Sequence, residues 1–116
     1  MGDITIYHNP RCSKSRQTLA LLDERGISPD IVRYLDTPPD TAAIGRLLDM
    51  LGLEPRDLMR KKEAPYSELG LANEGVARAE LIQAMADNPI LIERPIVVSG
   101  DKAAIGRPPE SVLDIL

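Results

Sequence analysis

The chain holds one cysteine and one histidine, and they stand close together. Cys12 lies in the stretch His8-Asn9-Pro10-Arg11-Cys12-Ser13-Lys14-Ser15-Arg16, which also carries three cations. No acidic residue occurs between Tyr7 and Leu22. A lone thiol among cations is an arrangement for making and using a thiolate. A free thiol is mostly protonated at neutral pH, and shifting that balance by two decades takes about 3 kcal/mol. A helix N-terminus supplies ~0.3–1 kcal/mol, and up to ~2 in favourable geometry. The dipole alone is too weak, so Arg11, Arg16 or a protonated His8 must add to it. Backbone N–H groups of a first helical turn can also hold an oxyanion beside the sulfur. A single cysteine is often just a small buried apolar residue. That kind sits among apolar neighbours, whereas Cys12 is flanked by Arg11, Ser13 and Lys14.

The elements that must position this stretch are readable on either side of it. Residues 3–7 alternate as a strand does. Residues 13–25 read as a helix with Ser13 as N-cap, Gly26 as stop, and Ser15, Leu19 and Leu22 on one face. Residues 30–35 read as a second strand, which completes a parallel βαβ unit. Thr37-Pro38-Pro39-Asp40 is a break. Ile44, Leu47, Leu48 and Leu51 then mark one face of a helix ended by Gly52, and a short helix with Pro55 in its first turn covers 54–60. Arg60-Lys61-Lys62 is a second basic spot, by itself an ordinary solvated run. A further helix spans about 77–87. Ile96-Val97-Val98 reads as a buried strand, with Pro95 before it in a position that tolerates a cis bond. Residues 99–102 turn into a strand over 103–106. Pro108-Pro109 opens a last helix with Val112, Ile115 and Leu116 on one face. The order βαβ, helices, ββ, α is that of an α/β thioredoxin-like mixed sheet with a helical insertion at about 37–88, in a single domain spanning 1–116.

The totals narrow the function classes. Eighteen acidic residues against 14 basic give a formal net charge of −4, which argues against a nucleic-acid partner. There is no Phe and no Trp, so the core is aliphatic. One cysteine cannot close an internal disulfide, which fits a reducing cytoplasm. No signal peptide or membrane-spanning run stands out, and Met1-Gly2 is not followed by the Ser or Thr at position 6 that myristoylation requires. Ser15 stands where a Cys-x-x-Cys pair would have its second thiol, so any oxidised intermediate needs an external thiol. Thr18 excludes a Cys-x5-Arg phosphatase loop. One His and one Cys are too few for a standard zinc site, and no nucleotide motif is present. No bound cofactor is expected.

Taken together, Ile4-Thr5-Ile6-Tyr7-His8-Asn9-Pro10-x-Cys12-x-x-Ser15-Arg16-x-Thr18-Leu19 resembles the opening of the glutaredoxin-coupled arsenate reductases. The resemblance continues through Tyr34-Leu35, Pro38-Pro39, Leu58-x-Arg60-Lys61, Pro65-Tyr66, Leu69-Gly70-Leu71, Pro89-Ile90-Leu91-Ile92-x-Arg94-Pro95-Ile96-Val97-Val98, Arg107-Pro108 and Val112-Leu113-Asp114-Ile115-Leu116. It implies a thioredoxin-like fold and a cytoplasmic enzyme reducing arsenate to arsenite. It implies Cys12 as nucleophile, with Arg60, Arg94 and Arg107 holding the oxyanion and its covalent adduct. It also implies His8 favouring the thiolate, Ser15 supporting it, and glutathione and glutaredoxin as cosubstrates. Members often continue past the last helix; here the sequence runs to Leu116. The physical reading agrees, because planar guanidinium groups grip tetrahedral oxyanions in bidentate fashion. Two other readings share the cysteine. One is a related glutathione-linked thiol protein without arsenate activity. The other is a thioredoxin-like regulator of the kind that contacts RNA polymerase, although such sensors typically carry the second cysteine that Ser15 replaces.

Overall fold

The computed structural model describes residues 4–116. They fall into two compact units, one of residues up to Thr37 together with Arg94–Leu116, the other of Pro38–Glu93.

The first unit is a four-stranded sheet with its helix. Strand β1 is Ile4–Tyr7, helix α1 Ser13–Glu24, strand β2 Asp30–Val32, strand β3 Ile96–Ser99 and strand β4 Lys102–Ile105. The strand order is β2-β1-β3-β4. Strand β1 runs parallel to β2 and antiparallel to β3, and β3 forms an antiparallel hairpin with β4. The mixed βαβ and ββ arrangement is the expected one. Asp3, which the sequence placed in the first strand, lies outside the described residues.

Register explains the core. Ile6 pairs with Val97 and Val97 with Ala104, so one row crosses three strands on one face. Leu22 of α1 and Val112 pack on that row, and Leu19, Leu21, Ile27 and Ile115 surround it. Ile6, Leu22, Val97 and Val112 are fully buried, each contributing roughly 1.5–3 kcal/mol over an exposed position. Helix α1 stops where the sequence predicts. Gly26 takes a φ of 73°, which costs no Cβ clash, and its N–H closes on the Asp23 carbonyl.

Three details of this unit differ from expectation. Strand β2 ends at Val32 instead of Leu35, because the N–H groups of Asp36 and Thr37 both turn back to the Arg33 carbonyl. Helix α1 takes Cys12, not Ser13, as N-cap, since the Arg16 N–H bonds the Cys12 carbonyl. The last element, Pro109–Ile115, is a 3₁₀ helix. Its three-residue period sets Val112 and Ile115 on one face and turns Leu116 away, and Leu116 is 43% exposed.

The second unit is helical. Helix α2, Thr41–Leu51, is capped by the Asp40 carboxylate accepting from the Ala43 N–H at 2.8 Å, buries Ile44, Leu47 and Leu48, and ends at Gly52. Helix α3 is Pro55–Leu58, with proline in its first turn. Helix α4, Ala64–Glu68, buries Tyr66 and was not signalled by periodicity. Helix α5 is Arg78–Asp87. This unit runs past position 88 because the backbone returns to itself: Arg60 N–H bonds the Leu91 carbonyl, Glu93 N–H bonds the Leu58 carbonyl, and Met59 pairs with Ile92. Among the described residues no helix is long and apolar enough to cross a membrane.

Candidate active site

The thiol is delivered by the turn between β1 and α1. The His8 N–H bonds the Val32 carbonyl at 2.8 Å, which carries the parallel pairing one residue past β1. The chain then folds tightly. Asn9 Oδ1 accepts from the Arg11 N–H at 3.0 Å, and the Asn9 carbonyl accepts from the Cys12 N–H at 3.0 Å. Cys12 therefore sits at the N-cap of α1 with its side chain uncommitted to capping. It is buried, and it is the free cysteine of the chain.

The cation on the sulfur comes from the other end of the sequence. Arg107 Nη2 lies 3.4 Å from Cys12 Sγ. The same guanidinium donates from Nε to the Arg94 carbonyl at 2.7 Å, which fixes its direction. A guanidinium is permanently charged and presents its donors in a rigid fork, so one group can grip a carbonyl and face a sulfur together. The β3–β4 hairpin sets up this pairing. Ile96 is opposite Ile105, and continuing that register two positions sets Arg94 opposite Arg107. The Gly106 N–H bonds the Pro95 carbonyl at 2.9 Å. The Arg94–Pro95 bond is cis, as the sequence allowed, and so is Arg107–Pro108. Arg94 is half-buried, with Nε and Nη1 shielded from solvent.

Two of the cations nearest in sequence lie on the exposed side of the loop. Arg16 Nη1 donates to the Pro10 carbonyl at 3.0 Å, bracing the loop from outside, and Arg11 is exposed. His8 is buried, and its Nδ1 lies 2.6 Å from Ser15 Oγ. Burial, then the Arg33 and Arg16 charges, hold its pKa below the ordinary 6.5. That direction favours the neutral imidazole. Ser15 is fully buried, and its hydroxyl also accepts the Asn9 N–H at 3.0 Å. Ser15 thus ties His8 and Asn9 into one network, and the loop it shapes is the loop that presents Cys12.

Arg60 belongs to the helical unit. There its Nη1 lies 2.7 Å from Glu63 Oε2 and its Nε 3.7 Å from Glu93 Oε1. Among the described residues no group of three or more His, Cys, Asp or Glu is placed to hold a metal ion. Two contributors were missed from sequence. Thr18, fully buried, donates to the Lys14 carbonyl at 2.8 Å and abuts Gly106. Asn9 builds the turn before Cys12. The hairpin register was the available signal for pairing Arg94 with Arg107.

The arrangement sets a thiol at a helix N-terminus against the Arg107 guanidinium. Those are the parts needed for attack on a tetrahedral oxyanion.

Comparison with known proteins agrees in fold and family. Residues 7–115 match the model of the ArsC family. An uncharacterised Escherichia coli protein, YfgD, is 58% identical over 97% of this chain and 96% of its own. An arsenate reductase of Neisseria meningitidis is 50% identical over the full length of both chains. The solved structure of an arsenate reductase from Vibrio cholerae is 53% identical, covers 97% of each chain and superposes with a TM-score of 0.95. With such matches along nearly its whole length, this thioredoxin-like chain belongs to the ArsC family.

Proposed function

We propose that this protein is an arsenate reductase whose nucleophile is Cys12 and whose electrons come from glutathione and glutaredoxin. The observation that carries the reading is the Arg107 guanidinium at 3.4 Å from Cys12 Sγ, in a chain of this family. That contact sets a fixed cationic donor against the sulfur, where an oxyanion would also be gripped.

The cycle balances in four steps. The Cys12 thiol and arsenate condense to an S–As(V) bond, with loss of water. Glutathione displaces a second arsenate oxygen as water, giving arsenic bonded to two sulfurs. A glutaredoxin thiol attacks the glutathione sulfur; the S–As bond electrons pass to arsenic, which becomes As(III), and a mixed disulfide leaves. Water then releases arsenite and restores Cys12. The resolving thiols are external because this chain carries one cysteine. Thiols of this kind are kept reduced in the cytoplasm, where we place the reaction. Arg94 and Arg107 hold the oxyanion, and Arg60, on the strength of the family resemblance, adds to that set. His8 and Ser15 keep the loop in shape.

Phosphate matches arsenate in shape and charge, so binding separates them little. Selectivity follows from chemistry, since phosphate offers no thiol-reducible step. The test is arsenate-dependent NADPH oxidation with glutathione, glutaredoxin and glutathione reductase, comparing wild type with Cys12→Ser. Turnover in wild type, falling by more than about a thousandfold in the variant, is expected. A Cys12→Ser protein near normal activity would refute the nucleophile.

A further inference from the structure

A recess opens beside the thiol loop. It is a cavity of about 450 Å³, lined by His8, Asn9, Arg11, Arg33, Leu35 and Asp36. That volume lies within the ~300–1,000 Å³ typical of small-molecule sites. It lies beyond the carboxyl ends of two parallel strands, where ligands of open α/β sheets are held. The His8 N–H on the Val32 carbonyl joins its two walls, and the Arg33 carbonyl fixes the far wall by accepting from Asp36 and Thr37. The proposed cycle uses neither Arg11, Arg33 nor Asp36, although all three side chains are exposed and charged.

We infer that this recess is the docking site of the small thiol reductant, with Arg11 and Arg33 taking its two carboxylates and Asp36 its ammonium group. The inference rests on the reading that glutathione serves as reductant. The chemistry matches group by group. Glutathione carries two carboxylates, one ammonium and a thiol between them, and the recess offers two guanidinium groups, one carboxylate and the apolar Leu35. Arginine suits carboxylates because its fork matches their two oxygens. A three-residue chain spans at most about 10 Å, and Cys12 follows the lining residue Arg11 directly.

The experiment is steady-state kinetics in the coupled assay, with glutaredoxin and glutathione reductase in excess, on wild type, Arg11→Ala, Arg33→Ala and Arg33→Lys. The two alanine variants should raise the KM for glutathione about five- to tenfold, leave the KM for arsenate within about twofold, and Arg33→Lys should recover part of the loss. An unchanged glutathione KM, or an arsenate KM rising in parallel, overturns the assignment while leaving the arsenate reading intact. If wild type turns over no arsenate, that reading fails separately. Calorimetric titration with S-methylglutathione then decides the site: binding by wild type that weakens at least fivefold in Arg33→Ala supports it, and no binding, or equal binding, overturns it.

Discussion

Arg107 reaches the sulfur of Cys12 from 95 positions away, with Nη2 at 3.4 Å, while its Nε is held at 2.7 Å by the Arg94 carbonyl. Charge and direction are therefore supplied by one side chain with two anchors. Arg107→Ala removes both, and Arg107→Lys keeps the charge but cannot donate to carbonyl and sulfur from one rigid plane. A hydrogen bond to a charged group contributes about 1.5–3 kcal/mol, so kcat/KM for arsenate should fall roughly ten- to a hundredfold in the alanine variant and less in the lysine variant. Alkylation of Cys12 by iodoacetamide at neutral pH should slow in the same order. Equal alkylation rates in all three proteins would remove Arg107 from the thiolate's support.

His8 gives the fold a pH dependence with a definite sign. Burial first, then Arg33 and Arg16, lower its pKa from 6.5. The unfolded chain therefore takes up the proton first as the pH falls. The stability due to neutral His8 is fully present above about pH 6.5 and is lost as the pH drops toward the folded-state value. Urea midpoints at about pH 7.5 and about pH 5.5 should show a drop for wild type, and a smaller one for His8→Gln. A His8→Gln protein with the same acid loss as wild type would assign that loss to other groups.

Gly106 is fixed by its neighbours. A Cβ there would lie 2.5 Å from Thr18 Oγ1 and 2.8 Å from Pro95 Cγ. Gly106→Ala should cost about 1–3 kcal/mol through overpacking and should lower activity, because the next residue is Arg107. Removing the threonine side chain relieves one of the two clashes. The double variant Thr18→Ala, Gly106→Ala should thus be more stable than the sum of the single changes predicts. Strict additivity in thermal denaturation would show that the two positions do not meet.

The elements that sequence made legible are those whose signals are local. Helix α2 announces itself through Asp40, the spacing of Ile44, Leu47 and Leu48, and Gly52. The β3–β4 hairpin follows from a Val-rich run and a glycine turn. Helix α4 left no trace, because five residues are too few for a periodic face. The lone cysteine at a strand-to-helix junction pointed to Cys12 directly. Its charge partner did not stand out, because neighbouring cations look closest in sequence while Arg16 is spent on the Pro10 carbonyl. The pairing of Arg94 with Arg107 is a property of strand register, which becomes readable only after the hairpin is placed.

Inhibition by phosphate tests the oxyanion reading apart from the redox chemistry. Inorganic phosphate should compete with arsenate, raising its KM without changing kcat, and phosphate esters should not be turned over at a useful rate. Arg94→Ala and Arg60→Ala should each raise the KM for arsenate and the inhibition constant for phosphate together, by roughly tenfold. Phosphate inhibition left unchanged in Arg60→Ala would take that residue out of the oxyanion set.

The sheet unit is made from both ends of the chain, and this sets an order of events during synthesis. Cys12 leaves the ribosome with β1 and α1, but β1 gains its antiparallel neighbour β3 only after residues 38–93 have been made. At about 5–20 residues per second, the 95 positions separating Cys12 from Arg107 take roughly 5–20 seconds to make. Over that interval the nascent protein carries a thiol that lacks its guanidinium. The contact between Cys12 and Arg107 is thus one that only a chain already carrying residues 38–93 can make.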